Sequence, residues 1–164
     1  MIHYVFDLDD TLIMHQKGVR LNYNNIVEDH SLKNLLDTCD GECYIYTNGT
    51  FGHAYAVIRK MNIKNNFFKI YSRDTLSYMK PDNRSFNSVK NDINYYYKNT
   101  LNEIYFFDDL LENCKEAKNH GWTTFWINPD FLFGDKHSYI DHSFKNIKDA
   151  LIYLEKQNIN NNIF

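Results

Sequence analysis

Tyr4-Val5-Phe6-Asp7-Leu8-Asp9-Asp10-Thr11-Leu12 is the stretch from which this chain is read. It begins as an apolar run suited to a buried strand and stops in three acids and a hydroxyl. Burying charge is costly unless a metal or a partner compensates, so a strand that ends in carboxylates has to open into a site. Open α/β sheets bind ligands just beyond the carboxyl ends of their strands. Asp7 and Asp9 are therefore the candidate chemical centre, and the rest of the chain either supplies what they need or does not.

Outward from that stretch, strand and helix patterns alternate. Leu32, Leu35 and Leu36 have helical spacing, with acids near the start of the helix and Asp40-Gly41 as its stop. Glu42–Tyr46 is a second strand and gives way to Thr47-Asn48-Gly49-Thr50. Ala54, Val57, Ile58 and Met61 mark the next helix, and Phe67–Tyr71 a third strand. Pro81 is expected in the first turn of a helix whose buried face is Phe86, Val89 and Ile93. Glu103–Phe107 is a fourth strand ending in Asp108-Asp109, followed by a helix over Leu111–Asn119 and a fifth strand, Thr123–Ile127. Residues 130–143 read as irregular, 144–156 as a last amphipathic helix, and 158–164 as a frayed tail. Residues 13–25 read as a loop or short hairpin. The alternation predicts a doubly wound, Rossmann-like parallel sheet of about five strands with helices on both faces, in one domain over residues 1–157.

Bulk composition excludes more than it assigns. A 164-residue chain with 43% hydrophobic and 24% charged residues has the make-up of a soluble globular domain. Aromatics reach 16% and Asn, Lys, Ile and Tyr are frequent, a bias expected of an AT-rich coding sequence. A net charge of −3 gives no footprint for nonspecific nucleic-acid or membrane-surface binding. No apolar run reaches the length of a membrane span, and the first residues enter a strand without the pattern of a signal peptide. Cys39, Cys43 and Cys114 are odd in number, as expected of a reduced, cytoplasmic protein. Cys39 and Cys43 lack a second Cys/His pair that would complete a zinc site.

Three strand ends carry polar groups: Asp7 and Asp9, Thr47 and Asn48, Asp108 and Asp109. Lys80 precedes a helix on the same circuit and can reach that edge. Clustered carboxylates without His or Cys at ligand spacing suit a hard cation such as Mg²⁺. A threonine hydroxyl, a lysine and turn N–H groups suit a phosphate. One carboxylate can then act as nucleophile and another as proton carrier. Taken singly, each feature has an ordinary reading: an acidic turn, turn residues, a helix start, a helix cap. Their joint order at strand ends is what argues for a site. Asp10 reads as structural or outer-shell, His53 as solvent-facing or helix-capping with a grip on substrate as the lesser alternative, and Tyr95-Tyr96-Tyr97 as packing and surface.

The order Asp7-Leu8-Asp9-Asp10-Thr11, Thr47-Asn48, Lys80-Pro81, Asp108-Asp109 resembles the four motifs of the haloacid-dehalogenase-like (HAD) phosphohydrolases. The resemblance implies Asp7 as nucleophile, Asp9 as general acid/base, Thr47 with the Asn48 backbone as phosphate ligands, and Lys80 as charge balance. It implies Mg²⁺ on Asp7, the Asp9 carbonyl and Asp108, with Asp109 in support. Thr47-Asn48-Gly49, His53-Ala54, Phe67-Phe68, Phe107-Asp108-Asp109, Asn113 and Gly121 are similar to the pyrimidine 5′-nucleotidase-like branch, which releases phosphate from nucleoside monophosphates. That branch carries a helical cap between the first two motifs. Here only 40 positions separate Asp7 from Thr47, so the chain is expected to be capless, or to carry at most a small flap within 13–25.

The expected activity is thus phosphomonoester hydrolysis through an aspartyl-phosphate, on a nucleoside 5′-monophosphate or another small phosphate ester. An open site also suits a phosphorylated nucleic-acid end or a phosphoprotein, with Arg59, Lys60, Lys64 and Arg73 as a local basic patch. A third reading is a non-catalytic binding protein on the same fold. A second subunit could stand in for the cap, and Phe131, Phe133, His137 and Tyr139 are expected at the site's rim.

Overall fold

Six parallel strands form one sheet in the computed structural model, which describes residues 1–132 and 136–161. In chain order they are β1 (Ile2–Phe6), β2 (Glu42–Tyr46), β3 (Phe67–Tyr71), β4 (Glu103–Asp108), β5 (Thr123–Ile127) and β6 (His142–Phe144). The helices are α1 (His30–Asp37), α2 (Phe51–Lys60), α3 (Asn83–Tyr96), α4 (Leu111–Asn119) and α5 (Ile147–Asn161). Across the sheet the order is β3-β2-β1-β4-β5-β6. The order reverses between β1 and β4, and such switch points open the crevice in which doubly wound folds bind ligands. Both acid-bearing strands flank that crevice.

Period-two alternation sorts the strand residues into two cores. Tyr4, Phe6, Cys43, Ile45, Phe107, Phe125 and Ile127 face α1, α2 and α5, meeting Leu32, Leu36, Ala54, Val57, Ala150 and Leu151. Val5, Tyr44, Tyr46, Phe106 and Trp126 face α3 and α4, meeting Phe86, Val89, Ile93, Cys114 and Ala117. The aromatic bias is used in packing. Phe6, Phe107, Phe125 and His142 stack across four strands, with ring centroids 4.6, 4.5 and 4.7 Å apart.

Several expectations need correction. The sheet has a sixth strand inside the segment read as irregular. His142-Ser143-Phe144 has no apolar run, and β6 is held instead by Asp141. The Asp141 backbone N–H donates to Thr124 Oγ1 at 3.0 Å, and its carboxylate accepts from the Thr124 N–H at 2.9 Å and from Lys118 at 2.6 Å. Pro81 lies before α3, not in its first turn, because the Asp82 carboxylate caps the helix by accepting from the Arg84 N–H. α5 starts at Ile147 and continues through part of the supposed frayed tail to Asn161; residues 162–164 lie outside the described residues. Buried Leu151 and Leu154 hold α5 on the sheet.

Residues 13–25 form no hairpin and no cap. Their only regular piece is a single 3₁₀ turn, Tyr23–Asn25. Beneath this loop is a cavity of about 1040 Å³, lined in part by Leu12, Ile13, Leu21, Ile26, Met61 and Ile147. Asp29 caps α1, accepting from the Leu32 N–H at 3.0 Å. No helix among the described residues is long and apolar enough to cross a membrane.

Candidate active site

Strand register brings the acids together. Phe6 pairs with Phe107, and the Asp7 N–H donates to the Phe107 carbonyl at 2.8 Å. The residues that follow, Asp7 and Asp108, therefore leave adjacent strands side by side. On the other flank Phe6 pairs with Ile45, which sets Thr47 just beyond the end of β2. Carboxylate oxygens of Asp7, Asp108 and Asp109 all lie within 4.8 Å of one another.

Lys80 is the countercharge within this set. Its ammonium donates to Asp7 Oδ1 at 2.9 Å, Asp108 Oδ2 at 2.7 Å and the Tyr46 carbonyl at 2.7 Å, and its side chain is 1% exposed. Burial alone would lower the lysine pKa, but the charges of Asp108 and Asp7 override it and keep the ammonium protonated above its usual range. Asn48 fixes the lysine's backbone: its amide donates to the Lys80 carbonyl and accepts from the Lys80 N–H, both at 2.9 Å. Asp108 is fully buried, accepting from the Leu110 N–H and from the Asn113 amide. Trp126 Nε1 donates to the Asp109 carbonyl at 2.9 Å and steadies that end of β4.

One ammonium does not neutralise three carboxyls. Burial, assisted by the Asp108 charge and opposed by Lys80, pushes Asp7 up to about 8. Burial and the same Asp108 charge push Asp109 up to about 6. An all-oxygen donor set that retains excess negative charge fits a hard divalent cation. Asp7 and Asp108 offer the buried oxygens for it, with Asp109 alongside.

The turn after β1 sets the remaining acids. The N–H groups of Thr11, Leu12 and Ile13 all point to the Leu8 carbonyl, at 3.3, 2.9 and 3.1 Å. Asp10 sits at φ +61, a left-handed conformation that Asp tolerates, and its carboxylate accepts from the His15 N–H. That bond ties Asp10 to the loop that follows β1. Thr11 Oγ1 donates to Asp7 Oδ2 at 3.3 Å. The Asp9 side chain does not join the acidic trio; it turns to His53 and His15, with Nε2 of His53 at 2.9 and 3.0 Å and Nε2 of His15 at 2.6 Å. His53 therefore neither faces solvent nor caps its helix: Thr50 Oγ1 caps α2.

Thr47 is buried, and its Oγ1 accepts from the Gly49 N–H at 3.0 Å, which leaves its hydroxyl hydrogen free to donate. Gly49 matters by its missing side chain. A Cβ there would meet His53 at 3.2 Å and Thr47 Oγ1 at 3.3 Å, with Asp9 Oδ2 at 3.8 Å. Space bounded by a free hydroxyl, a carboxyl and an imidazole is preserved at that point.

No family model matches the sequence, and no curated protein matches it. Solved structures do. The magnesium-bound HAD-hydrolase YfnB from Bacillus subtilis superposes with a TM-score of 0.61 at 21% identity, over 74% of this chain and 53% of that one. An L-2-haloacid dehalogenase from Xanthobacter autotrophicus, with chloropropionic acid covalently bound, gives 0.61 at 16% over 80% and 62%. The fold is that of the HAD-like hydrolases. The chain thus spans between half and two thirds of the length of these two HAD structures. An uncharacterized protein from Listeria monocytogenes serotype 4b is similar in size as well, with a TM-score of 0.62 at 16% identity over 95% of this chain and 99% of that one.

Within the HAD fold, the structure brings Asp7, Lys80, Asp108 and Asp109 into direct contact or near contact, with Thr47 and Asn48 beside them. The sequence reading missed three contributors: His15, the Tyr23 hydroxyl that meets His53 Nδ1, and the Asn48 side chain as the clamp on Lys80. Tyr23–His53 and Asn48–Lys80 lie far apart in the chain, and His15 reaches Asp9 only through the turn that follows β1. The proposed basic patch does not gather at the site. Arg73 Nε reaches the Asn48 carbonyl, but Arg59 and Lys60 occupy the far turn of α2 and Lys64 lies over Tyr55. Of the expected rim, Phe131 and His137 pack edge-on against Trp126 and Tyr139 stacks on His137, whereas Phe133 lies outside the described residues.

Proposed function

We propose that this chain is a hydrolase of the HAD type, a Mg²⁺-dependent phosphomonoesterase that forms an aspartyl-phosphate on Asp7. The observation that carries this reading is the buried Asp7–Lys80–Asp108 set, with Asp109 within 4.8 Å and Thr47 beside it. A halide-releasing enzyme has no use for a metal-sized cluster of acids, and phosphate chemistry has two. The acids would hold the cation, and the cation with Lys80 would offset the repulsion between an anionic nucleophile and an anionic substrate. The magnesium bound to YfnB and the motif resemblance support the same choice.

Asp7 Oδ2 is the freer nucleophilic oxygen, since Oδ1 is engaged by Lys80. It attacks phosphorus in line, the ester P–O bond breaks, and Asp9 gives its proton to the leaving oxygen. Water then attacks the same phosphorus, Asp9 takes the water's proton, and the bond to Asp7 breaks, releasing phosphate. Thr47 donates its free hydroxyl hydrogen to a phosphate oxygen. Asp7, Asp108 and the Asp9 carbonyl would hold Mg²⁺, which would supply Lewis-acid charge stabilisation. Similarity to the nucleotidase-like branch favours a nucleoside 5′-monophosphate or another small ester as substrate. The absence of a cap within residues 13–25 supports a second reading, a phosphate on a macromolecule.

Hydrolysis of para-nitrophenyl phosphate with and without Mg²⁺ tests the chemistry. The wild type should turn over only with the metal, and Asp7→Asn should lose about 10³-fold or more with its circular dichroism unchanged. Full activity in Asp7→Asn, or chloride release from chloropropionate without phosphatase activity, contradicts the proposal.

A further inference from the structure

Asp9 is held from two sides by side chains that the mechanism above does not use. His53 Nε2 faces both of its oxygens, and His15 Nε2 faces Oδ1. They come from different parts of the chain: His53 from the first turn of α2, His15 from the loop after β1, where its N–H is tied to Asp10. A third residue, Tyr23, places its hydroxyl on His53 Nδ1 from the 3₁₀ turn of the same loop.

The hydrogen-bonding roles follow from the donors present. A tyrosine hydroxyl that donates to Nδ1 makes that nitrogen an acceptor and leaves the ring hydrogen on Nε2, aimed at Asp9. Helix capping gives no rival account of His53, because Thr50 already caps α2. Stability gives no strong account either: both imidazoles and the carboxylate are partly exposed, and pairs of that kind contribute at most about 1 kcal/mol. The bonds do fix where the Asp9 carboxyl points. They also dock the 13–25 loop against the site.

We propose that His53, His15 and Tyr23 are positioning residues for Asp9, which hold its carboxyl in the orientation for proton delivery to the leaving oxygen. The inference rests on the reading of Asp9 as general acid/base. It carries a consequence that a purely structural role lacks. The positioning matters in proportion to the leaving group's need for a proton. A phenolate needs one, whereas a dinitrophenolate departs without help.

The test compares phenyl phosphate with dinitrophenyl phosphate on the Mg²⁺-loaded protein. The double variant His15→Ala/His53→Ala should lose about 10²-fold in kcat/KM on phenyl phosphate and less than about 3-fold on dinitrophenyl phosphate, since kcat/KM reports phosphoryl transfer to Asp7 and not the later attack by water. Asp9→Asn should show the same selectivity in kcat/KM, while its kcat falls on both esters because Asp9 also activates the water. Equal losses in kcat/KM on both esters, or no loss on phenyl phosphate, overturn the positioning role. A wild type inactive on both esters overturns the functional reading beneath it, so the two failures are distinct. NMR of the histidine ring nitrogens gives a readout independent of turnover. His53 should carry its proton on Nε2 in the wild type and become a tautomer mixture in Tyr23→Phe; an unchanged tautomer in Tyr23→Phe removes Tyr23 from the proposal.

Discussion

Every ammonium hydrogen of Lys80 is committed, to two carboxylates and one carbonyl, in a place from which water is excluded. Removing one partner of such a buried set costs far more than removing a surface pair, because the remaining charges have no compensation. Lys80→Met should destabilise the fold by about 3–5 kcal/mol, read from urea unfolding; a loss under about 1 kcal/mol contradicts the geometry. Asn48 acts at one remove through the Lys80 backbone. Residue identity at these positions was legible in the sequence, since each sits at a strand end or a helix start. The partners were not. His15 meets Asp9 only because the chain winds back on the Leu8 carbonyl, and His53 meets it only because β2 delivers α2 to the same edge.

Among the elements, β6 shows best where pattern gives out. β2, β3, β5 and α4 have the bounds that their apolar runs and stop signals imply, but His142-Ser143-Phe144 has no such run. Asp141 places it instead, and that assigns β6 a pH dependence. Partial burial would raise the Asp141 pKa, yet the Lys118 bond and the Thr124 N–H override this and hold it below the usual carboxylate range. A depressed folded pKa gives stability that is present above the unfolded value and lost as pH falls through the folded one. Asp141→Asn should therefore cost about 1 kcal/mol near neutrality, and the difference from wild type should shrink below about pH 4. A difference that stays constant with pH refutes the latch. Gly41 sets a second local constraint. A Cβ there would lie 1.9 Å from the Ile2 carbonyl oxygen, so Gly41→Ala must push the start of β1 aside. The expected loss is about 1–3 kcal/mol, checked by thermal unfolding; an unchanged midpoint contradicts it.

For the whole molecule, the doubly wound fold was readable because strand and helix periods alternate, and the order reversal at β1 and β4 then put the acids in one crevice. The surroundings of that crevice were not readable. The 13–25 loop is polar and aperiodic, so nothing in it foretold the cavity beneath or its docking through His15. Excess negative charge at Asp7, Asp108 and Asp109 predicts that Mg²⁺ stabilises the folded protein, by about 2.7 kcal/mol at a hundredfold excess over Kd. Asp108→Asn should abolish that shift; an equal shift in the variant would place the metal elsewhere.

The covalent step is tested most directly by acid-quenching the Asp9→Asn protein during turnover of dinitrophenyl phosphate and mapping the phosphoryl group by mass spectrometry. With Asp9 unable to activate water, the expected result is a phosphorylated peptide carrying the modification on Asp7. Turnover with no adduct, or an adduct on any other residue, contradicts Asp7 as the nucleophile.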